Sequence, residues 1–325
     1  MKPKKCYRLQ LCILVSLCMY QGMFAHGISA QSLQKNMTAR LLEQFDTVLY
    51  AKADLVSKPG AGQLVKLDMS PLQRPFAYLW HAIGAFNPPV MEHLRNQIDH
   101  VYLGAKNFDA PAGFGMIRSD RCYVLLARTG SHFEPSRIRS VDAESTSETN
   151  SRRWRWRASL SEFGEDQADR TSTIVMAFVS SSLLVVCNSE IEMEILLRSL
   201  DQPMSKQGAP LPHWLALEGH EIWGYRQYRK SPEGMSLSGF LDSGVKGALG
   251  FAFVLSREKG VVVKLYAPGR EGESPIRLRW PVIPELHPDS RRGLWQAHIA
   301  PNLGDGLTHD QIAGVMCALG LGTIV

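Results

Sequence analysis

The nearest thing to a nucleophile motif in the chain is Gly234-Met235-Ser236-Leu237-Ser238-Gly239. A nucleophile elbow requires Gly-x-Ser-x-Gly between a strand and a helix, which forces the serine out on a sharp turn. Here the last glycine is displaced by one residue and neither flanking element is indicated, so the segment reads as a flexible loop. Metal chemistry fares no better. No two histidines stand two, three or four residues apart, the spacings that put two imidazoles on one face of a strand or helix. The densest groups of ligand-capable residues are Glu218, His220 and Glu221, and Asp305 with His309 and Asp310; both read as loop and cap residues. His81 lies beside an apolar helical stripe and reads as a boundary or core residue.

Phosphate-cradling loops are also missing: there is no Gly-x-x-x-x-Gly-Lys-Ser/Thr, and Gly244-Val245-Lys246-Gly247 precedes a strand where a phosphate site needs a helix N-terminus. No residue is therefore assigned as catalytic, metal-binding or cofactor-binding, and no cofactor is expected. One surface feature stands out. Arg153-Trp154-Arg155-Trp156-Arg157 alternates strictly, which on a strand puts the tryptophans on one face and the arginines on the other. Arg153, Arg155 and Arg157 are the candidate binding residues, a cationic stripe suited to an anionic lipid, a glycan or a partner protein; the competing reading is an ordinary half-buried strand with one wet face.

Elements to position these residues are indicated along the whole chain. Leu33, Met37, Leu41 and Phe45 recur every four residues and predict a helix over 33–45, with a strand at 47–53 behind it. Phe76, Leu79, Trp80, Ile83 and Phe86 form a second helical stripe, and Asn87-Pro88 opens a short helix toward Leu94. Strands are predicted at 98–105, 113–118 and 122–128, the last two as a hairpin across Ser119-Asp120-Arg121. Residues 141–152 have almost nothing to bury and read as an exposed loop. The alternating arginine–tryptophan strand is followed by strands at 173–179 and 183–187. Ser189 and Glu192 then make a capping box that opens a helix to Leu200. In the remainder, strands are predicted at 221–228, 248–256, 261–267, 277–280 and 294–299. The second and third form a hairpin across residues 257–260. A final helix opens at a Thr308/Gln311 capping box and carries Ile312, Val315, Met316 and Leu319 on one face.

Strands in runs, with helices before and after, predict an α+β fold rather than a doubly wound nucleotide-binding sheet. The expectation is two halves of mostly antiparallel sheet with flanking helices, an arrangement compatible with a diverged structural repeat. Asp201 to His213 holds three prolines and a glycine and reads as a linker between an α+β domain over 31–200 and a β-rich α+β domain over 214–325.

The N-terminus is an address. Lys2, Lys4, Lys5 and Arg8 precede an apolar run from Leu11 to Phe24, and the small residues Gly27 to Ala30 follow. Those are the three parts of a secretory signal peptide, and the run is shorter than a membrane-spanning helix requires. Cleavage is expected between Ala30 and Gln31, with Gly27 the second choice. A signal retained as an anchor is the alternative. Of 36 lysines and arginines, four leave with residues 1–30 and none of the 31 acids does, so the mature chain is nearly neutral. That excludes bulk basicity as a reason to propose a nucleic-acid partner. Three of the six cysteines leave as well; Cys122, Cys187 and Cys317 do not make a disulfide scaffold. No later stretch is apolar for long enough to span a bilayer. The sequence thus points to an exported soluble protein, periplasmic or extracellular, that binds or helps assemble an envelope structure without catalysis. An exported hydrolase with a site drawn from sequence-distant residues is the runner-up.

Overall fold

Short runs rich in valine, leucine, alanine and aromatic residues make the strands of this protein, because such side chains fill a pleated surface that is covered on both sides. The computed structural model describes residues 37–38, 40–53, 97–106, 123–129, 144–146, 152–159, 171–180, 183–187, 189–201, 220–228, 243–256, 260–270, 272, 274–299 and 309–321. The strands are β1 (Thr47–Lys52), β2 (Ile98–Ala105), β3 (Tyr123–Thr129), β4 (Glu144–Thr146), β5 (Arg152–Ser159), β6 (Thr171–Ser180) and β7 (Leu183–Cys187). They continue with β8 (Ile222–Gln227), β9 (Gly250–Ser256), β10 (Gly260–Tyr266), β11 (His287–Pro288) and β12 (Leu294–His298). Helix α1 is Glu190–Asp201 and helix α2 is His309–Ala318; residues 40–44 are also helical.

The strands join in one twelve-stranded sheet, in the order β11-β12-β10-β9-β8-β1-β2-β3-β7-β6-β5-β4. All the pairings in it are antiparallel. The α+β class and the antiparallel sheet with flanking helices are as the sequence predicts. The seam between the halves is β1 against β8, with Tyr50 opposite Trp223. Both outer strands are short, three residues in β4 and two in β11, which limits edge-to-edge association with another sheet.

Alternation along each strand splits the core in two. On the first face lie Leu49, Leu103, Phe251, Phe253, Val263 and Trp295, covered by Ile312, Val315, Met316 and Leu319 of α2. On the second face lie Val48, Tyr50, Val185, Trp223 and Val254, covered by Met193, Leu196 and Leu197 of α1 and by Met37, Leu41 and Phe45. A bulge between Ile98 and His100 shifts the parity of β2. Ile98 therefore packs in the first core, whereas Tyr102, four residues on, packs in the second.

Helix α2 ends as its sequence dictates. Gly320 lacks a Cβ, so the left-handed region is open to it, and it adopts φ 74°. Its amide donates to Cys317 O at 2.9 Å and the Leu321 amide to Met316 O at 2.8 Å, the two bonds of a Schellman motif. The carbonyls of the last turn then dock on the seam, where Thr47 Oγ1 donates to Leu319 O at 2.9 Å and Arg226 Nη1 to Ala318 O at 3.5 Å. Gly224 makes the approach possible: a Cβ there would meet Phe253 and would stand 2.6 Å from Leu319 Cδ1.

Three expectations need correction. Residues 144–146, placed in the exposed loop, form β4, with Glu144 opposite Arg155 and Thr146 opposite Arg153. An edge strand can be polar because it need not bury a face, so the absence of apolar residues did not exclude pairing. Strand β3, expected to pair with residues 113–118 in a hairpin, is flanked in the sheet by β2 and β7; residues 113–118 themselves lie outside the described residues. Residues 277–280 are not a strand. A single bridge, Ile276 to Leu286, stands there, and Trp280 O accepts from the Ile283 amide in a turn.

Candidate functional site

The sheet gathers at its seam ionisable residues that the sequence keeps far apart. Lys52 of β1 stands directly opposite His100 of β2, and the Lys52 amide donates to Glu221 O at 3.0 Å just before β8. By the two-residue period of a strand, Lys52, His100 and Glu221 share the face of Tyr50, Tyr102 and Trp223. An ammonium, an imidazole and a carboxylate thus form a row across three neighbouring strands. Tyr50 Oη and His100 Nδ1 are hydrogen-bonded at 2.9 Å, and their rings stack with centroids 5.8 Å apart. Tyr50 also stacks on Trp223 at 5.5 Å and tilts against Tyr102 at 5.1 Å, so the histidine's partner is fixed by its own packing. Along the same face, burial and then the neighbouring Tyr266 push the Tyr225 phenol well above its ordinary range.

A second group of charges holds α1. Burial tends to raise the Glu192 carboxyl, but the Lys106 ammonium and the Gln44 amide outweigh it and hold the carboxyl below its ordinary value. Lys106 Nζ bonds Glu192 Oε1, and Gln44 Nε2 donates to Glu192 Oε2 at 2.6 Å and to Glu192 O at 2.8 Å. The predicted cap is present in one direction: the Glu192 amide donates to Ser189 Oγ at 3.4 Å. The reciprocal arm is replaced, since the Glu192 side chain turns to Lys106 and Gln44 and the Ser189 amide faces Cys187 Sγ at 3.4 Å. The outer side of α1 carries Ile191 at 73% exposure and Ile195 at 46%, the large hydrophobic residues left exposed among the described residues.

The residues singled out in the sequence scatter. Arg153, Arg155 and Arg157 lie on β5 opposite Ala177, Val175 and Thr173, and Trp154 and Trp156 lie opposite Met176 and Ile174. The register keeps the arginine and tryptophan positions on alternate faces; their side chains lie outside the described residues. His220 and Glu221 precede β8, whereas Glu218 is outside the described residues, as are His81, Asp305, Thr308, the 234–239 serine segment, the 202–213 stretch of the linker, and Ala30 and Gln31. His309 and Asp310 form the first turn of α2, and Gly244 and Gly247 take φ of 73° and 79° in a turn region ahead of β9. Cys187 lies in the core of the second face and Cys317 on α2, which covers the first, so the sheet separates the two and no disulfide joins them. Cys122 lies outside the described residues. Among the described residues, no group of three His, Cys, Asp or Glu side chains is placed to hold a metal ion. No helix among them is long and apolar enough to cross a membrane.

Sequence reasoning missed the row of Lys52, His100 and Glu221 because it depends on β1 pairing with strands about 50 and 170 residues away along the chain. The available signal was alternation alone, which fixes a side but not a neighbour. No protein-family profile and no curated protein matches the chain. Among solved structures it is similar to TP0453. Crystal form III of that protein aligns with a TM-score of 0.37 and 10% identity, over 80% of this chain and 93% of the other. Form I aligns with a TM-score of 0.36 and 10% identity, over 85% and 94%.

Proposed function

We propose that this chain is exported, periplasmic or extracellular, and acts by binding, as a non-catalytic protein of the cell envelope that meets a partner through the outer side of α1. The observation that supports this is the exposure of Ile191 and Ile195 one helical turn apart, on a helix whose opposite side is locked to the sheet. Large apolar side chains held rigidly in water lose little further freedom when a partner covers them. Photo-crosslinking residues placed at 191 and 195 in cells test the reading. Adducts with an envelope protein are expected at these positions and not at the exposed control Arg277. Equal labelling at all three, or a chain that stays in the cytoplasm, refutes it. N-terminal sequencing of the envelope fraction is expected to begin at Gln31; an unprocessed chain favours the anchored form.

The second reading is an exported hydrolase, and the convergence of Lys52, His100 and Glu221 favours it. Hydrolysis of ester or peptide test substrates by the wild type and its loss in His100→Gln, with the fold intact, would put this reading first.

A further inference from the structure

The end of the sheet farthest in strand order from α1 carries three arginines on two turns that are bolted together. Residues Ala267 to Arg270 form a β-turn closed by the Arg270 amide donating to Ala267 O at 3.1 Å. The loop between β11 and β12 is closed by the Asp289 amide to Leu294 O at 2.8 Å and the Leu294 amide to Arg291 O at 3.1 Å. The Ala267 amide donates to Gly293 O at 2.8 Å and ties one turn to the other. Gly293 has φ 78°, and a Cβ on it would stand 2.6 Å from Pro268 Cα, so only glycine lets the backbones come this close.

Arg270, Arg291 and Arg292 are exposed on these turns. Arg270 lies over the Trp295 ring, 6.0 Å from its centroid, two residues beyond Gly293. None of the three makes an ion pair with a described residue. The carboxylate nearest in sequence to Arg291 and Arg292, Asp289, is already engaged: its Oδ1 accepts from Ser290 Oγ at 2.9 Å and from the Arg291 amide at 3.2 Å. Glu271 and Glu273, next to Arg270 in the chain, lie outside the described residues. Burial tends to raise the Asp289 carboxyl, but these bonds and the charges of Arg291 and Lys264 hold it below its ordinary range, ionised at neutral pH. Three guanidiniums on rigid backbones, each a planar fork of donors, suit the oxygens of a phosphate group. The cluster is smaller than the four to eight basic residues that typically bind a lipid surface, and the mature chain is close to neutral. Both facts favour a compact ligand over a membrane.

From this geometry we propose that Arg270, Arg291 and Arg292 form a binding site for a compact multivalent phosphate-bearing anion, distinct from the α1 surface. Calorimetric titration of the mature chain with inorganic pyrophosphate tests it. Binding is expected, weakening as salt rises, with a loss of about tenfold for each arginine changed to glutamine. Arg277→Gln, an exposed arginine paired with Glu285, is expected to bind as the wild type does. Thermal midpoints check that the variants fold; if the triple variant fails that check, Arg270→Gln and Arg292→Gln carry the test singly. Absence of pyrophosphate binding, or full binding by the arginine variants, overturns the proposal. So does arginine-dependent binding confined to phosphatidylglycerol vesicles, which would assign the cluster to a membrane. None of these results bears on crosslinking at 191 and 195.

Discussion

Outward from the seam, one half of the sheet runs β1, β2, β3, β7, β6, β5, β4 and the other runs β8, β9, β10, β12, β11. Each half opens with a three-stranded meander and continues with strands taken in reverse, four in the first half and two in the second. In each a helix follows the last strand in the chain, α1 after β7 and α2 after β12. A twofold axis normal to the sheet between β1 and β8 would exchange the first five strands of each half, leaving β5 and β4 unmatched, and would put both helices on one face. They lie on opposite faces. The likeness therefore extends to the order of strands and stops at the layers that cover them. Strand order is constrained by antiparallel pairing and short connections. Which face a helix covers depends on individual contacts, and these differ: α2 presses its last turn into a glycine on the seam, whereas α1 is held at its first turn by Glu192, Lys106 and Gln44.

The strongest way to break the comparison is at that glycine. Gly224→Val would force side-chain carbons into Phe253 and Leu319, and we expect a loss of about 3 kcal/mol in urea unfolding. Hydrogen exchange should show α2 losing protection before α1 does. The matching probe for the other half is Leu196→Ala, which empties a fully buried position on the inner side of α1 and should cost about 2–4 kcal/mol. If both variants deprotect both helices equally, the halves unfold as one unit and the contrast has no energetic meaning.

Smaller effects sharpen it. Thr47→Val removes the buried donor to Leu319 O and is expected to cost about 1–2 kcal/mol, with α2 fraying first. Glu192 has a folded-state carboxyl held below the ordinary 4.5, so its pairing stabilises the protein at neutral pH, where the group is ionised in both states. That contribution is lost as the pH falls through the folded value. Glu192→Gln should therefore flatten the decline in stability below pH 4.5, by up to about 1 kcal/mol between neutral and acid conditions. The smallest effect belongs to Ile191→Glu, expected to change stability by less than about 0.5 kcal/mol while abolishing the crosslink at 195.

Some elements were legible at once. The run at 98–105 is a strand with those bounds, and the hairpin of β9 and β10 forms as predicted, with Ser256 opposite Gly260. The apolar stripe of α2 and the Ser189 cap of α1 also follow local rules, because helix periodicity and capping act within a few residues. Edge strand β4 was not legible: Glu144, Ser145 and Thr146 have no apolar period, and only the presence of β5 beside them makes them a strand. For the same reason residues 277–280 looked like a strand and are not one, since alternation predicts a strand only where a neighbour accepts its hydrogen bonds.

The sequence by itself determined the α+β class, most strand positions, the antiparallel preference and an N-terminus that reads as an export signal, since each rests on composition or on a period of a few residues. Tertiary structure decided the rest: that both halves share a single sheet, that α1 and α2 take opposite faces, that Lys52, His100 and Glu221 come into one row, and that the turn of Arg270 is tied to the turn of Arg291 and Arg292. Those outcomes depend on which distant strands pair and on how closely two backbones can approach at Gly224 and Gly293, and neither quantity has a local signature in the chain.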